Sequence, residues 1–118
     1  MLNNLEICCY SVNSAINAER AGASRIELCD NFSEGGTTPS FGTIKNALDN
    51  LTIPMNVIIR PRGGDFMYSD LDYEIIKQDV IMCKQLGVNG VVLGFLNSDG
   101  SIDIKKQSKF WNLQNLWK

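Results

Sequence analysis

Short apolar runs alternate along the chain with segments in which apolar residues recur at helical spacing. The apolar runs predict four β-strands, at residues 5–9, 25–29, 55–59 and 90–95. Helical spacing predicts helices at residues 11–22, from about residue 41, and at residues 69–87. Ser11 is placed to cap the first helix, and Ser69 or Asp70 to cap the last, while Gly22 and Gly87 follow as stops. This alternation is typical of an α/β fold with a parallel sheet.

The length of the chain limits the kind of α/β fold that it can form. At 118 residues it is long enough for one domain with a real core, but an eight-stranded barrel typically needs about 250 residues. The sequence therefore predicts either an incomplete barrel or a smaller α/β unit.

The composition of the chain limits which binding partners and which cellular location we expect. The net charge is −2 and the basic residues form no stripe, so we expect no nucleic-acid partner. No apolar run approaches the ~18 residues that cross a membrane, and the first residues lack the basic and apolar regions of a signal peptide. These features predict a cytoplasmic protein with no membrane partner.

Histidine is absent from the sequence, whereas cysteine occurs at four positions, Cys8, Cys9, Cys29 and Cys83. The lack of histidine excludes Ser-His and Cys-His nucleophile pairs and histidine metal sites within this chain. No two cysteines form a Cys-x-x-Cys pair, which excludes zinc-ribbon and thioredoxin motifs. In a reducing cytoplasm we expect all four to be free thiols.

The pattern Glu-x-Cys closes each of the first two predicted strands, at residues 6–8 (Glu-Ile-Cys) and 27–29 (Glu-Leu-Cys). Side chains alternate between the two faces of a strand, so in each copy the acid and the cysteine share one face. We expect this face to line a barrel interior, because the faces that helices cover are apolar. Cys9 then faces the helices.

Cys8 and Cys29 fall on neighbouring predicted strands, whose axes lie ~4.8 Å apart. Two thiolates so placed suit a soft monovalent ion such as Cu(I), so these residues are the predicted metal ligands. The alternative is that both cysteines, as small and readily buried residues, simply fill the interior. Cys83 falls on the apolar stripe of a helix and is predicted to belong to the core.

A charged loop with two glycines follows the third predicted strand, at residues 60–70. Ligands bind at the carboxyl ends of the strands in parallel α/β proteins. Arg60, Arg62 and Asp65 are therefore predicted to line the mouth of the barrel and to bind a substrate, with the two arginines holding its anionic group. The loop at residues 30–40 also contains two glycines, and two interpretations are open for it: an anion-accepting nest at a helix N-terminus, or a turn that only caps the helix.

Buried carboxylates need partners, because an isolated buried charge is very costly. Alternation places Arg60 on the interior face, so it is the predicted counter-ion of Glu6 or Glu27. The same three residues are the catalytic candidates, with either glutamate as general acid or base. Arg25 begins the second strand, at the opposite end of the barrel, and is predicted to be structural.

Three blocks of the sequence resemble the CutC family, which is named for copper homeostasis: residues 5–11 (LEICCYS), 34–40 (EGGTTPS) and 59–70 (IRPRGGDFMYSD). The resemblance covers residues 2 to roughly 107. It implies a TIM-type (β/α) barrel, a cytoplasmic location and copper binding, with Cys8 and Cys29 matching the candidate copper ligands. Residues 1–107 would then be the N-terminal half of a (β/α)8-type barrel, an incomplete barrel of about four β/α units.

Residues 108–118 hold both tryptophans and are followed by no strand. We interpret them as an atypical tail that reflects a truncated or frame-shifted reading. An open half-barrel has two edge strands, and the fourth predicted strand is apolar and free of proline, so we expect self-association. The rival expectation is that residues 110–117 fold back over the exposed face as a lid.

Two functions are open on these residues. The first is a cytoplasmic protein that binds Cu(I) through Cys8 and Cys29. The alternative is a TIM-barrel enzyme acting on a small polar or anionic metabolite, with Arg60 and Arg62 holding its anionic group. The copper hypothesis predicts that the thiols matter most, and the enzyme hypothesis predicts that the carboxylates do. The family resemblance favours copper binding.

Overall fold

Strands and helices alternate in the computed structural model of the protein, which describes residues 3–114. The elements are β1 (Glu6–Cys9), α1 (Val12–Arg20), β2 (Arg25–Leu28), α2 (Phe41–Asn50), β3 (Met55–Ile58), α3 (Asp70–Leu86), β4 (Gly90–Val92) and α4 (Ile104–Gln114). The α/β class and the four β/α units predicted from the sequence are confirmed. None of the helices in the described range is long and apolar enough to cross a membrane.

All four strands are parallel, and they lie in the sheet in chain order, β1-β2-β3-β4. The register sets Cys8 of β1 opposite Glu27 of β2, and Asn56 of β3 opposite Gly90 of β4. Neighbours in sequence are therefore neighbours in space, which is the winding of a TIM-type barrel, and four strands make half of one. Across the described residues, β1 and β4 are the two edges of the sheet.

One face of the sheet carries the hydrophobic core. The side chains of Ile26, Leu28 and Val57 are fully buried on this face, in one cluster with apolar residues of α1, α2 and α3. The opposite face is more polar, and Glu27 and Asn56 are only partly buried there. This is the face predicted to line the barrel interior, and the elements within residues 3–114 leave Glu27 and Asn56 partly exposed on it.

Serine caps begin three of the helices, as predicted for α1 and α3. Ser11, Ser40 and Ser69 each accept a hydrogen bond from the main-chain N–H three residues later. At α3 the cap is reciprocal, because the side chain of Asp72 also accepts from the main-chain N–H of Ser69. The same helix ends at Gly87, whose φ of 86° is left-handed.

The fourth strand is shorter than predicted. β4, expected over residues 90–95, ends at Val92. Beyond it the chain leaves the sheet so that Phe95 joins a cluster of aromatic rings, with its centroid 5.9 Å from that of Tyr73 and 5.3 Å from that of Phe110. Among the described strands β4 pairs only with β3. We therefore attribute the early end of β4 to the packing of Phe95 in the aromatic cluster.

The C-terminal segment forms a helix that the sequence analysis did not predict. α4 begins at Ile104, before the expected tail boundary at residue 107. Phe110 anchors it, since this ring is 1% exposed and packs against Phe95 and Tyr73. Trp111 is 65% exposed. Phe110 therefore belongs to the core, and the part of the predicted lid beyond residue 114 lies outside the described residues.

Candidate functional site

The side chains of Cys8 and Cys29 meet on the polar face of the sheet. Their Sγ atoms are 3.5 Å apart. Cys8 is exposed, whereas Cys29, one residue beyond the end of β2, is 2% exposed. Cys9 turns the other way into the hydrophobic core, and its Sγ donates to the main-chain oxygen of Ile7 at 3.6 Å. The orientations predicted from strand alternation are thus confirmed for all three cysteines.

Burial and hydrogen bonding keep the buried thiol in its neutral form. Burial raises the pKa of Cys29, and hydrogen bonding with Cys8 raises it further. The Sγ of Cys29 also donates to Oε1 of Glu27 at 3.8 Å. Burial raises the pKa of Glu27, and the charge of Glu6 adds to that rise. A cation that binds these sulfurs must therefore displace the proton of Cys29.

Cys8 and Cys29 offer two sulfur atoms as metal ligands. Within residues 3–114, no group of three or more histidine, cysteine, aspartate or glutamate side chains is placed to hold a metal ion. The usual zinc site, with three or four protein ligands, is therefore not built from these residues. Soft thiolates do suit Cu(I), so the chemistry of Cys8 and Cys29 fits that ion as two donors.

Arg60 is buried, yet its partners are main-chain oxygens. Nη1 donates to the oxygens of Glu34 at 2.5 Å and Gly36 at 2.9 Å, and Nη2 donates to that of Gly64 at 2.9 Å. The residue is 8% exposed, and its guanidinium lies 5.1 Å from the centroid of the Phe66 ring. Arg60 therefore joins the loop that follows β2 to the loop that follows β3.

Glu6 pairs with Arg25 and not with Arg60. The register of β1 and β2 sets Glu6 opposite Arg25, and Nε of Arg25 donates to Oε2 of Glu6. The prediction that Arg60 neutralises Glu6 or Glu27 is wrong. Arg60 lies beyond the carboxyl end of β3, where loop carbonyls surround it, whereas Glu6 lies at the amino end of β1. The three catalytic candidates are therefore spread along the sheet and do not form one cluster.

Arg62 uses all five of its N–H donors within its own loop and the start of α3. The acceptors are the main-chain oxygens of Gly63, Asp65 and Met67 and the carboxylates of Asp65 and Asp72. Burial would raise the pKa of Asp72, but hydrogen bonds from Ser69 and Arg62 outweigh it and lower the pKa. Arg62 and Asp65 thus hold the loop in shape, and a ligand reaches Arg62 only by displacing one of these bonds.

The loop at residues 30–40 turns its amides inward. The main-chain N–H groups of residues 34–38 donate to the main-chain oxygens of Asn31, Phe32, Asp30 and Arg60. The structure favours the turn that caps the helix over the anion nest, because these amides are already used within the loop and by Arg60, and Ser40 caps α2. Gly36, with a φ of 107°, packs so closely that a Cβ on it would lie 3.3 Å from Cδ1 of Ile58 and 3.6 Å from Cβ of Cys29. The loop is therefore one wall of the cysteine site.

Two tyrosines that were not predicted contact predicted site residues: Tyr10 lies beside Cys8, and the ring of Tyr68 lies beside Arg62. Tyr10 follows β1, and hydrogen bonding with Cys8 raises its pKa. Tyr68 is 6% exposed, and no hydrogen bond of normal geometry reaches its hydroxyl, or Nε of Arg60, within the described residues. Burial raises the pKa of Tyr68, although the charges of Arg60 and Arg62 oppose the rise. Tyr10 directly follows the end of β1, and that position was the signal available in the sequence, whereas Tyr68 directly precedes the N-cap of α3.

Cys83 lies away from this site, as predicted. It is fully buried on α3, and burial together with the charge of Asp79 raises its pKa to about 12. A thiol in that state is a core side chain and a poor nucleophile.

The chain is similar to proteins of one family along nearly its whole length. The model of the CutC family matches residues 3–115. A family protein CutC of Photorhabdus laumondii is 51% identical over 112 residues, which cover 95% of this chain and 45% of that protein. One from Serratia proteamaculans is 50% identical over 109 residues, covering 92% of this chain and 43% of that protein. The chain thus spans less than half the length of these curated relatives.

The fold is similar to that of a solved relative. A crystal structure of a CutC protein from Streptococcus agalactiae, which is named for copper homeostasis, is 38% identical and superposes with a TM-score of 0.87. The match covers 94% of this chain and 54% of that one. The match to the family model includes Cys8, Cys29 and the loop of Arg60, and this chain belongs to the CutC family.

Proposed function

We propose that this chain binds Cu(I) through Cys8 and Cys29 and serves copper homeostasis in the cytoplasm. The observation that carries the proposal is the 3.5 Å separation of the two Sγ atoms on the polar face of the sheet. The relative from Streptococcus agalactiae is named for copper homeostasis, which supports copper as the ion. A reducing compartment keeps both thiols free to bind it.

The two cysteines have different parts in this proposal. Cys8 is exposed and offers the first contact, while Cys29 is 2% exposed and shields the ion from water. Binding releases the thiol protons. Glu27, whose Oε1 accepts a hydrogen bond from Cys29, is placed to take up the proton of the buried thiol.

Competition for Cu(I) with a chromophoric chelator, under reducing and anaerobic conditions, tests the proposal. We expect one Cu(I) per chain. Cys8→Ser and Cys29→Ser should each weaken binding at least about tenfold, equivalent to about 1.4 kcal/mol. Cys83→Ala is the matched control and should leave the affinity unchanged, because this thiol is fully buried in the core. An unaltered affinity in the Cys8→Ser, Cys29→Ser double variant would remove both residues as ligands.

A second candidate function is supported by two buried polar atoms. Nε of Arg60 and the hydroxyl of Tyr68 make no hydrogen bond of normal geometry among the described residues, although buried polar groups normally make one. We propose as the alternative an enzyme that acts on a small polar or anionic metabolite. The metabolite would accept a hydrogen bond from each of these two groups. Glu27 would then be its acid or base, because Glu6 is held by Arg25 at the far end of the strands.

Thermal unfolding in inorganic phosphate and in malonate tests this alternative. We expect either anion to raise the unfolding midpoint temperature of the parent chain, because an anion that binds only the folded state stabilises it. Tyr68→Phe should reduce that rise, because it removes one of the two buried polar groups, whereas Tyr10→Phe should not. A parent midpoint that neither anion moves would contradict the alternative while leaving the copper proposal intact.

A further inference from the structure

We propose that Cys8 and Cys29 form a two-sulfur site for a monosubstituted trivalent arsenical, a compound whose arsenic carries one organic group and two hydroxyl groups. The two sulfurs replace the hydroxyl groups, and the organic group stays on the arsenic as its third substituent. The site extends the proposed function to a second class of ligand, and it rests on the same two thiols.

The register of β1 and β2 places the two cysteines diagonally across the sheet. Cys8 lies opposite Glu27, and the ladder continues to Cys29, whose main-chain N–H donates to the oxygen of Cys9 at 2.8 Å. Cys29 is therefore one strand across from Cys8 and two residues further along. With strands ~4.8 Å apart and a rise of ~3.3 Å per residue, this diagonal corresponds to a Cα separation of about 8 Å.

That separation disfavours a direct disulfide between the two cysteines. A disulfide requires an S–S bond of about 2.05 Å and Cα atoms about 4.4–6.8 Å apart, whereas the Sγ atoms of Cys8 and Cys29 are 3.5 Å apart. Bringing them closer requires the paired strands to move, and the hydrogen bonds of the ladder hold those strands in place. The pair therefore favours an atom that bridges the two sulfurs over a bond between them.

The distance between the sulfurs favours a bridging atom with a narrow bond angle. An atom bonded to both sulfurs at about 2.3 Å, the length of a zinc–thiolate bond, makes an angle of about 100° between them when they are 3.5 Å apart. Trivalent arsenic forms bonds of similar length to sulfur, and it is pyramidal with an angle close to this one because it carries a lone pair. Cu(I) held by two sulfurs prefers a wider angle, which requires the Cys8 side chain to turn away from Cys29. An arsenical accepts the two sulfurs where they lie.

Two sulfurs complete the coordination of an arsenic that already carries an organic group. Among residues 3–114, no three histidine, cysteine, aspartate or glutamate side chains are placed to hold one ion, so inorganic arsenite, which takes up to three thiolates, finds only two here. Tyr10 hydrogen bonds with Cys8, and its ring contacts that of Phe32 with centroids 5.1 Å apart. An aromatic group on the arsenic therefore has rings to pack against beside the site.

Binding exchanges bonds on the arsenic without changing its oxidation state. Phenylarsine oxide takes its dihydroxy form in water. Each arsenic–oxygen bond breaks as an arsenic–sulfur bond forms, and each thiol proton leaves with a hydroxyl group as water. One arsenical and two thiols thus give one bridged adduct and two water molecules, and no oxidant is consumed. Both cysteines lie towards the carboxyl ends of their strands, where ligands enter parallel α/β barrels.

Titration with phenylarsine oxide in excess 2-mercaptoethanol, read by intact-mass spectrometry, tests the site. The monothiol competes with isolated cysteines but poorly with a pair, because the second bond to a pair forms within one molecule. We expect one arsenical per chain. Cys8→Ser and Cys29→Ser should each weaken binding at least about a hundredfold. Cys83→Ala is the matched control and should leave binding unchanged, because this thiol is fully buried in the core. Circular dichroism confirms that the variants are folded.

A parent chain that takes up no arsenical overturns the inference, and the proposed function still stands if that chain binds Cu(I) through both thiols. Arsenical binding that needs both thiols supports the inference even where Cu(I) binding does not depend on them. Retention of the arsenical by Cys29→Ser, together with its loss in Cys9→Ala, overturns the inference, because the adjacent pair of Cys8 and Cys9 then holds the arsenic. Arsenite should bind more weakly than phenylarsine oxide, and equal affinities would overturn the two-sulfur coordination.

Discussion

Nη1 of Arg60 donates a 2.9 Å hydrogen bond to the main-chain oxygen of Gly36, which ties the end of β3 to the loop after β2. That glycine also packs against Cys29, since a Cβ on it would lie 3.6 Å from the cysteine Cβ. The arginine therefore supports the wall of the thiol pair through the main-chain oxygens of Glu34 and Gly36. Its contribution should be measurable as stability.

Arg60→Met should lower the free energy of unfolding by about 1–3 kcal/mol, because the buried carbonyl of Gly36 loses its donor and the part-buried carbonyls of Glu34 and Gly64 lose theirs as well. Arg60→Lys should recover little of the loss, since one ammonium cannot reach three separate oxygens. Urea denaturation at fixed protein concentration measures both. Arg20→Met, an exposed arginine at the end of α1, is the control and should change stability by less than about 0.5 kcal/mol. A parent-like midpoint for Arg60→Met would show that the three carbonyls do not depend on it.

Ser69→Ala should cost about 1 kcal/mol of stability, the usual effect of removing a serine N-cap. The hydroxyl oxygen of Ser69 accepts from the main-chain N–H of Asp72 at 3.1 Å and is one half of the capping box of α3. Thermal unfolding measures the loss. Ser108→Ala, at an exposed position of α4, should leave the midpoint almost unchanged, and an equal loss in both variants would contradict a capping role.

Two glycines should respond to alanine with opposite signs. Gly36→Ala should destabilise the fold by about 1–2 kcal/mol, the cost of a left-handed conformation for an L-residue, with added crowding because its Cβ would lie 3.3 Å from Cδ1 of Ile58. Gly42→Ala should stabilise it by about 0.5–1 kcal/mol. Gly42 lies in α2, where the nearest atom to its Cβ would be Oγ of Ser40 at 4.0 Å. Chemical denaturation that moves both midpoints in the same direction would refute this assignment.

Glu19 should give the fold part of its sensitivity to acid. Its Oε1 accepts from N and Oγ1 of Thr52 at 2.6 and 2.9 Å and from N of Ile53 at 2.9 Å. These hydrogen bonds lower the pKa of Glu19 below its ordinary value of 4.5. A carboxyl whose pKa is lower in the folded state adds stability above its ordinary pKa and loses it as the pH falls through the lowered value.

Glu19→Gln should therefore flatten the decline of stability below pH 4.5, the ordinary pKa of this group. Urea midpoints collected from neutral pH down to the acid limit of the fold measure the slope. Glu74→Gln, at an exposed position of α3, removes the same charge from a carboxylate without those main-chain bonds. If the stability of the parent chain and of Glu19→Gln declined with the same slope as the pH falls, the proposed contribution of Glu19 to acid sensitivity would be contradicted.

Local chemistry was sufficient to predict the order of the strands, the helix caps and the faces of the cysteines. Ser11 and Ser69 cap helices because a hydroxyl oxygen meets an amide three residues away, an interaction complete within one turn. Cys8 and Cys9 face opposite sides because successive side chains of any strand do. Such features depend on φ, ψ and on neighbours in the chain, so the amino-acid sequence by itself determined them.

The choice of long-range partners was decided only by the tertiary structure. Arg60 was expected beside a glutamate, because its charge and its place in the alternation allow that pairing. Arg60 contacts three carbonyl oxygens instead. This contact depends on where β3 ends and on how near the loops after β2 and β3 lie to each other. The docking of Phe110 on Phe95 and Tyr73 likewise depends on how α4 crosses the end of the sheet. Register, strand length and helix crossing arise from packing the whole chain at once, and no local pattern of charge or hydrophobicity contains them.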